Sequence, residues 1–171
     1  NSAQGSGAAY VFARIGGSWV QDAYVKPSNT STPLSFGMAV AISGDAFVVG
    51  AEFESGGAQG AGAAYAFVRQ GNTWSEQCII RASNPGTQDY FGRAVALSGN
   101  TAIVAAPAEA SASTGVNGNQ NDNSAAFSGA AYILTGVGPL LLAEMGIAAP
   151  SNNPISSGGA RAFGNILNNG N

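Results

Sequence analysis

Gly7-Ala-Ala-Tyr-Val-Phe12 is the stretch that decides the fold, because the chain uses it three times. It returns as Gly62-Ala-Ala-Tyr-Ala-Phe67 and as Gly129-Ala-Ala-Tyr-Ile-Leu134. The first two copies start at positions 7 and 62, an interval of 55 residues. A second phrase keeps that interval, since Phe36-Gly-Met-Ala-Val-Ala-Ile-Ser-Gly-Asp45 returns as Phe91-Gly-Arg-Ala-Val-Ala-Leu-Ser-Gly-Asn100. A fixed period of this size indicates a repeat architecture, in which one unit cannot bury its apolar face alone.

Each repeat contains short apolar segments separated by turn residues. Runs of this kind, rich in β-branched and aromatic residues, are typical of strands. No long segment before residue 140 has a convincing helical period. The predicted strands are 8–13, 19–26, 38–43, 46–50, 63–69, 74–81, 93–98 and 101–106. Four strands per period joined by tight turns predict an all-β fold of antiparallel, propeller-type blades.

Charge is scarce in this chain. Only 9% of its residues are charged, and its six basic residues stand singly within a net charge of −3. Nucleic-acid binding draws most of its affinity from clustered Lys and Arg, so nucleic acid is excluded as a partner. No apolar run approaches the roughly 18 residues of a membrane-spanning helix, so no membrane span is expected. Because the chain carries little charge, electrostatic repulsion between copies is weak, and this favours self-association.

The sequence offers little for catalysis or metal binding. It contains no His, and its only close carboxylate pair is Glu52 and Glu54. In a strand these two carboxylates would point to the same side of the sheet, which makes a glycosidase-like carboxylate pair possible. The next copy has Pro107 and Glu109 there, so the pair is not a repeated feature. We therefore predict no catalytic residue, no cofactor and no metal ion.

Four residues are candidates for binding or modification. Trp19 and Trp74 recur at one place in the repeat, which favours a structural role on an outer strand over carbohydrate platforms. Asn29 begins an Asn-Thr-Ser glycosylation motif in a predicted turn, and it is the candidate site for an N-linked sugar. The single Cys78 takes the place of Ala23 in the repeat. That equivalence favours a buried small side chain over a reactive thiol.

The phrases Phe36-Gly37, Val48-Val49-Gly50-Ala51 and Gly62-Ala-Ala-Tyr65 resemble those of FG-GAP repeats. Such repeats form the propeller blades of integrin α subunits and of many bacterial surface proteins. The loop 114–124 is similar to a loop of the bacterial members, and the resemblance covers about residues 7–143. It implies β-propeller blades, an extracellular or cell-surface location, and an adhesive or structural function.

The chain departs from the FG-GAP pattern at the calcium loop. Integrin-like blades carry an Asp-rich loop before the Gly-Ala-Pro element, and here that place holds Ser43-Gly44-Asp45 and Ser98-Gly99-Asn100. Calcium takes about six to eight oxygen ligands, which one Asp in a tight turn does not supply. The loop 117–123 offers amide oxygens and Asp122 only. We expect that loop to be solvated or to face carbohydrate, and we expect no calcium site.

The family's order of strands divides the chain into about two and a half repeats. It predicts a half blade over 7–26, a full blade over 36–81 and a third blade over 91–143, with an inserted loop at 108–128. Leu140 to Ala143 would be the last strand of the third blade, and 144–171 a linker and C-terminal docking tail. Closed propellers have about four to eight blades, so we predict an incomplete propeller with a C-terminal extension and open sheet edges.

Three accounts fit an incomplete propeller. The chain is a piece of a larger propeller, a protomer that completes a ring with other copies, or a subunit that polymerises. We favour self-assembly, because open edges accept strands and an Asn/Gly/Ser-rich tail becomes ordered only on a binding surface. The expected assembly contacts are Phe163, Ile166 and Leu167, which share a face of either a helical turn or a strand.

The predicted function is therefore that of a non-enzymatic, extracellular structural protein. A head-to-tail contact that does not close generates a filament, so the chain would be a fibre subunit whose partner is itself. The alternative is an adhesive binding module, a piece of a larger propeller, that recognises glycans or a cell-surface protein. In either case the chain is expected to be a glycoprotein.

Overall fold

The computed structural model describes residues 3–31 and 33–138, and within them every regular element is a β-strand. No helix in this part of the chain is long and apolar enough to cross a membrane. The strands are β1 (Ala9–Ile15), β2 (Ser18–Val25), β3 (Ala39–Ser43), β4 (Ala46–Ala51), β5 (Ala63–Gln70), β6 (Thr73–Ile80), β7 (Ala94–Ser98), β8 (Thr101–Ala106) and β9 (Ala130–Thr135).

The strands form three antiparallel sheets in which chain order is also sheet order. Blade 1 is β1-β2, blade 2 is β3-β4-β5-β6 and blade 3 is β7-β8-β9. The predicted all-β fold of antiparallel propeller-type blades is thus confirmed. The strand predicted at Leu140 to Ala143 and the tail 144–171, with Phe163, Ile166 and Leu167, lie outside the described residues.

Two-residue turns close four of the hairpins. Ser43 pairs with Ala46 across Gly44 and Asp45, and Ser98 pairs with Thr101 across the equivalent turn. Gly44 has a φ of 57°, a left-handed conformation that a two-residue hairpin requires and that glycine adopts at little cost. The Gly-Gly, Gly-Asp and Gly-Asn dipeptides therefore determine where each hairpin turns.

The apolar cores lie between the blades. Blade 1 and blade 2 enclose one cluster, to which blade 2 contributes Tyr65 and Phe67, and blade 1 contributes Ala9 and Val25. Blades 2 and 3 enclose a second cluster, formed by Val48, Ala64, Ala66, Ile80, Ala82, Phe91, Ala102, Val104, Ala106 and Val137. Strand β4 of blade 2 is covered on both faces, which is why all six of its residues are buried.

The Phe-Gly phrase joins each blade to the one before it. The strand predicted at 38–43 is β3, Ala39–Ser43, and Phe36 lies before it in a parallel bridge with Gly7. Phe91 forms the same bridge with Gly62. A Cβ atom on Gly62 would lie 2.1 Å from the Phe91 carbonyl oxygen. Glycine is therefore needed in the Gly-Ala-Ala-Tyr phrase so that the next blade's Phe can approach.

The outer strands of blades 1 and 2 carry a bulge at the same place. The pairing shifts after Val11 in blade 1 and after Ala66 in blade 2, which leaves Asp22 and Gln77 as the extra residues. Trp74 Nε1 donates a hydrogen bond of 2.9 Å to Asp22 across the gap between these blades. The buried Gln77 Oε1 accepts none within the described residues. The bulge of blade 1 thus places a polar side chain within hydrogen-bond distance of the outer strand of the next blade.

Candidate functional site

Blade 1 presents a sheet face made of four aromatic side chains, which we call the aromatic face. Tyr10 and Tyr24 are 57% and 56% exposed, and their ring centroids lie 5.2 Å apart. Phe12 and Trp19 are 52% and 71% exposed. Four half-exposed aromatic side chains present on the order of 400 Å² of surface, and patches of that size on a monomer often mark interaction sites.

Blade 3 presents the opposite kind of surface, which we call the aliphatic face. Ile103 and Ile133 are 45% and 62% exposed. The alanines of the same face are also exposed, and they are Ala94, Ala96 and Ala131. This face is smooth and weakly polar, in contrast to the large rings of blade 1.

The two exposed faces are the repeat equivalents of surfaces that pack together inside the molecule. Tyr10 corresponds to Tyr65, whose side chain is buried where blade 2 meets blade 1. Ile103 corresponds to Val48, whose side chain is buried where blade 2 meets blade 3. Each internal interface therefore joins the Tyr-bearing face of one blade to the aliphatic face of the blade before it, and one face of each kind stays exposed at the ends of the described repeats.

A third exposed patch lies on the inner strand of blade 2. Val40 and Ile42 are 62% and 60% exposed. Their equivalents in blade 3, Val95 and Leu97, are partly buried against blade 2. The difference arises because the described part of blade 1 contains its two outer strands only, so nothing in it lies over β3.

A hydrogen-bonded relay lies beside the interface between blades 1 and 2. The Tyr65 hydroxyl donates to Asn29 Oδ1 at 2.7 Å, and Asn29 Nδ2 donates to the buried Glu54 at 3.1 Å. Arg81 completes the relay with two bonds to the Glu54 carboxylate, at 2.7 and 3.0 Å. Burial and the nearby Glu54 charge raise the pKa of Tyr65 to about 12.

Glu54 stays ionised in this buried relay. Burial alone would raise its pKa, but the bonds from Arg81 and from the Gly56 backbone hold the pKa of the Glu54 carboxyl below its ordinary value. A carboxylate that accepts several hydrogen bonds favours its charged form. The relay therefore connects loops of two blades through the Glu54 carboxylate, which stays charged at neutral pH.

The same relay recurs at the interface between blades 2 and 3. The Tyr132 hydroxyl donates to Asn84 Oδ1 at 2.8 Å, and Asn84 Nδ2 donates to Glu109 at 3.0 Å. No ion pair of Glu109 is present among the described residues. Asp89 lies close by at the place of Leu34, and burial together with the Glu109 charge raises the pKa of the Asp89 carboxyl. This relay carries more uncompensated negative charge than the first.

In blade 1 the described residues contain the basic end of the relay and no carboxylate bonded to it. Lys26 corresponds to Arg81, and its ammonium group contacts Ser6 Oγ at 2.6 Å and the Gly7 carbonyl oxygen. A cleft of 680 Å³ lies beside it, lined in part by Tyr24 and Thr30. Sequence reasoning missed these relays, although Asn29, Glu54 and Tyr65 recur as Asn84, Glu109 and Tyr132 and could have revealed them.

The carboxylates considered for catalysis have structural partners. Glu54 pairs with Arg81, and Glu52 pairs with Arg93 at 2.9 Å. The described residues contain no group of three or more His, Cys, Asp or Glu side chains that could hold a metal ion. Cys78 is partly buried against the second core, and burial raises the pKa of its thiol.

The structure gives Asn29 a role in the relay, since its amide nitrogen donates to Glu54. Glycosylation of Asn29 stays a prediction, and an attached sugar would have to leave that hydrogen bond to the remaining N–H. The two tryptophans differ in their surroundings. Trp74 packs on Phe47 at a centroid distance of 4.9 Å, whereas Trp19 is exposed on the aromatic face.

The loop 108–128 contains no strand and folds on its own polar groups. Ser111 Oγ donates to the Asn119 carbonyl at 2.8 Å, and the Ala112 amide donates to Asp122 at 3.0 Å. A cavity of 290 Å³ lies between this loop and the segment 86–89, with the exposed Phe127 at its rim. The loop is thus a formed surface at the edge of blade 3.

Comparison with known proteins agrees with this arrangement of blades. The family model of the FG-GAP repeat matches residues 19–67 and 74–134, which is more than half of the chain. No curated protein matches the chain. Both matched segments contain blade-forming strands, and the Phe-Gly bridges recur at one repeat interval. Sequence and fold therefore agree. The chain belongs to the FG-GAP repeat family.

Proposed function

We propose that this chain is a non-enzymatic, extracellular structural protein whose copies associate head to tail into a filament. The aromatic face of one copy would pack on the aliphatic face of the next. One observation carries the proposal: the two exposed faces are the repeat equivalents of the faces that pack together twice inside the chain. FG-GAP repeats are typical of adhesion proteins, and membership of this family supports an extracellular location.

The physical basis is burial of apolar surface. Fully burying a large apolar side chain is worth about 1.5–3 kcal/mol, and the aromatic face offers four that are half exposed. The exposed Arg14 pairs with Trp19 at the hairpin end of this face, and the net charge of −3 gives little repulsion between copies. Because the two faces lie on different blades, the contact is heterologous and need not close.

Light scattering across a concentration series, with electron microscopy of the same samples, tests the proposal. We expect the mass to grow with concentration and fibres to be visible. The variant Phe12→Ser with Tyr24→Ser should weaken assembly about 30-fold or more, because central aromatic residues dominate interfaces. Ile15→Ser is the matched control, since Ile15 is 64% exposed at the tip of the β1–β2 hairpin. A monomer at every concentration, or equal loss in both variants, would contradict the proposal.

A second candidate function is an adhesive module for a protein or glycan ligand. The observation that favours it is the cavity beside loop 108–128, where the aromatic ring of Phe127, 77% exposed, borders polar groups of Gln88 and Asn123. A ring beside amide groups is a surface on which a sugar can stack and form hydrogen bonds. A glycan-array signal that Phe127→Ala abolishes would support this function, and silence across the array would exclude glycans as its ligands.

A further inference from the structure

The cavity of 290 Å³ beside the loop 108–128 has a carboxylate in its wall, that of Asp89. Asp89 is 6% exposed, and its Oδ2 accepts a hydrogen bond of 2.7 Å from the Gly86 backbone. Its Oδ1 accepts no hydrogen bond from the described residues, yet it is not enclosed by protein, because among those residues only Gln77 Oε1 is both buried and unpartnered. Asp89 Oδ1 is therefore open to a ligand in the cavity.

This carboxylate stands where the first interface between blades has an apolar side chain. Leu34 holds the same repeat place, two residues before the Phe-Gly phrase, as Asp89 does. Leu34 is 1% exposed and belongs to the core between blades 1 and 2. The packing of the repeat thus accepts an apolar residue at this place and does not require a carboxylate, so a ligand contact gives Asp89 a role.

Phe127 forms the rim of the cavity in a backbone conformation that disfavours it. Its φ is 62°, and blade 2 has Gly60 with a φ of 64° at the same repeat place. The turns 58–61 and 125–128 are equivalent, since in each the last backbone N–H donates to the first carbonyl. A bulky residue in this left-handed conformation costs more free energy than glycine. The ring is 77% exposed and recovers little by burial, and strain of this kind is typical of residues that contact ligands.

The lining of the cavity favours an uncharged ligand with several hydroxyl groups. Asp89 and the nearby Glu109 make the site negative, and no basic residue lines it within the described part of the chain, which opposes an acidic ligand. Gln88 and Asn123 supply amide donors and acceptors, which suit hydroxyl groups because a hydroxyl both donates and accepts. Ligand pockets start at about 300 Å³, so this cavity has room for one sugar ring.

We propose that this cavity binds one uncharged sugar ring of a glycan, with Phe127 against the face of the ring and Asp89 accepting hydrogen bonds from its hydroxyl groups. This inference rests on the adhesive module, the second function proposed above, and adds the class of sugar: neutral sugars bind, and uronic or sialic acids do not. The phenyl ring covers the C–H face of the sugar, and hydrogen bonds to a charged oxygen are the strong ones. The bond from Gly86 holds the carboxylate in place before the sugar arrives.

An array of neutral and acidic glycans, probed with the labelled full chain, tests the class of sugar. Its neutral termini are glucose, galactose, mannose and N-acetylglucosamine, and its acidic termini are glucuronic, galacturonic and sialic acid. We expect binding to at least one neutral terminus and to none of the acidic ones. Equal binding to both sets would overturn this inference while the adhesive function stands. Silence across the array would overturn it too, and would leave a protein as the ligand of the adhesive module.

Two substitutions of Asp89 test the carboxylate. Asp89→Leu introduces the residue that the chain already has at the place of Leu34, so the variant should fold. Asp89→Asn keeps the shape of the side chain and an acceptor for the Gly86 N–H. Each should weaken binding of the neutral glycan about 10-fold or more, the effect of losing hydrogen bonds to a charged group. Unchanged binding in both variants would overturn the role of Asp89.

The variant Phe127→Gly separates a ligand contact from a structural role. It gives the turn the residue that blade 2 has, so its melting temperature should stay the same or rise, while neutral glycan binding falls at least 10-fold. Val116→Ala is the matched control, since Val116 is 92% exposed in the same loop and does not line the cavity. A lower melting temperature would show that the ring stabilises the fold, and retained binding would show that it does not touch the sugar; either result overturns the proposal. Tighter binding of methylammonium than of any neutral sugar would assign the cavity to a cation instead.

Discussion

Blade 1 and blade 2 carry nearly the same side chains at the same repeat places, yet their surroundings differ. Tyr65 and Phe67 are 0% and 3% exposed, while Tyr10 and Phe12 are 57% and 52% exposed. The local sequence sets the chemical character of a blade face, and the neighbouring blade sets whether that face is buried. In a repeat protein, the energetic role of a residue therefore belongs to the interface between units as much as to the unit.

The largest expected effect comes from removing a phenyl ring of blade 2, compared with removing the equivalent ring of blade 1. Phe67→Ala should lower the free energy of unfolding by about 3–5 kcal/mol, because Phe67 is buried and stacks on Phe47 at a centroid distance of 4.7 Å. Phe12→Ala should cost the monomer roughly 0.5 kcal/mol, since that ring is half exposed. Denaturant unfolding of monomeric samples measures both. Equal losses would show that Phe12 is buried in the monomer and would contradict the comparison.

The next largest effect on stability is expected where the backbones of blades 2 and 3 approach each other closely. A Cβ atom on Gly50 would lie 1.8 Å from the Gly92 carbonyl oxygen, so Gly50→Ala must separate blades 2 and 3. We expect a loss of about 3 kcal/mol from this overpacking. Blade 3 has Ala105 at the equivalent place, and Ala105→Gly should cost only about 0.5–1 kcal/mol, the ordinary cost of glycine in a strand. Thermal unfolding compares the two, and a stable Gly50→Ala variant would refute the close approach.

The relay gives a smaller effect that depends on pH. Arg81→Met leaves Glu54 buried without its cation and should cost about 1–3 kcal/mol at neutral pH. Lys26→Met, at the place where no carboxylate is bound, should cost less than about 1 kcal/mol. The folded-state pKa of Glu54 is lowered, so its ionised form stabilises the protein above the ordinary Glu pKa. That contribution is lost as pH falls through the lowered pKa.

The gap between wild type and Arg81→Met should therefore shrink on acidification. Urea unfolding from neutral pH down to the acid range follows this gap. A gap that stays constant with pH would mean that the Arg81 side chain stabilises through packing alone.

The smallest effect at neutral pH is expected at the two relay tyrosines. Tyr65→Phe or Tyr132→Phe should each cost about 1 kcal/mol, the value of one hydrogen bond. Burial raises the pKa of both hydroxyls to about 12, so the unfolded chain releases their protons first as pH rises above 10. Stability should fall in that window, and each substitution should flatten the fall. Tyr10→Phe is the control, because the Tyr10 hydroxyl lies outside any described relay.

Strands and turns were predictable because their signals are local. The predicted strand at 46–50 is β4, Ala46–Ala51, and the predicted strand at 101–106 is β8 with the same bounds. Apolar runs separated by Gly-Asp or Gly-Asn leave few other conformations. The repeat interval then supplied the order of the blades, which local propensity alone does not contain.

The relays and the different surroundings of Trp19 and Trp74 could not be predicted in the same way. Asn29, Glu54 and Tyr65 lie on three separate segments, and each is a single polar residue without a local pattern. Their meeting depends on how two blades pack. The recurrence of Trp predicted one role for both residues, but within the described residues a blade precedes that of Trp74 and none precedes that of Trp19.

The contrast between the two tryptophans also provides an optical test of the proposed assembly. Trp19 is 71% exposed, whereas Trp74 packs on Phe47 and donates to Asp22. In Trp74→Phe the remaining indole emission should be that of a hydrated ring. Its fluorescence should move to shorter wavelength as copies join, because packing on a neighbour removes water from the aromatic face. Growth could then be followed in real time without a label.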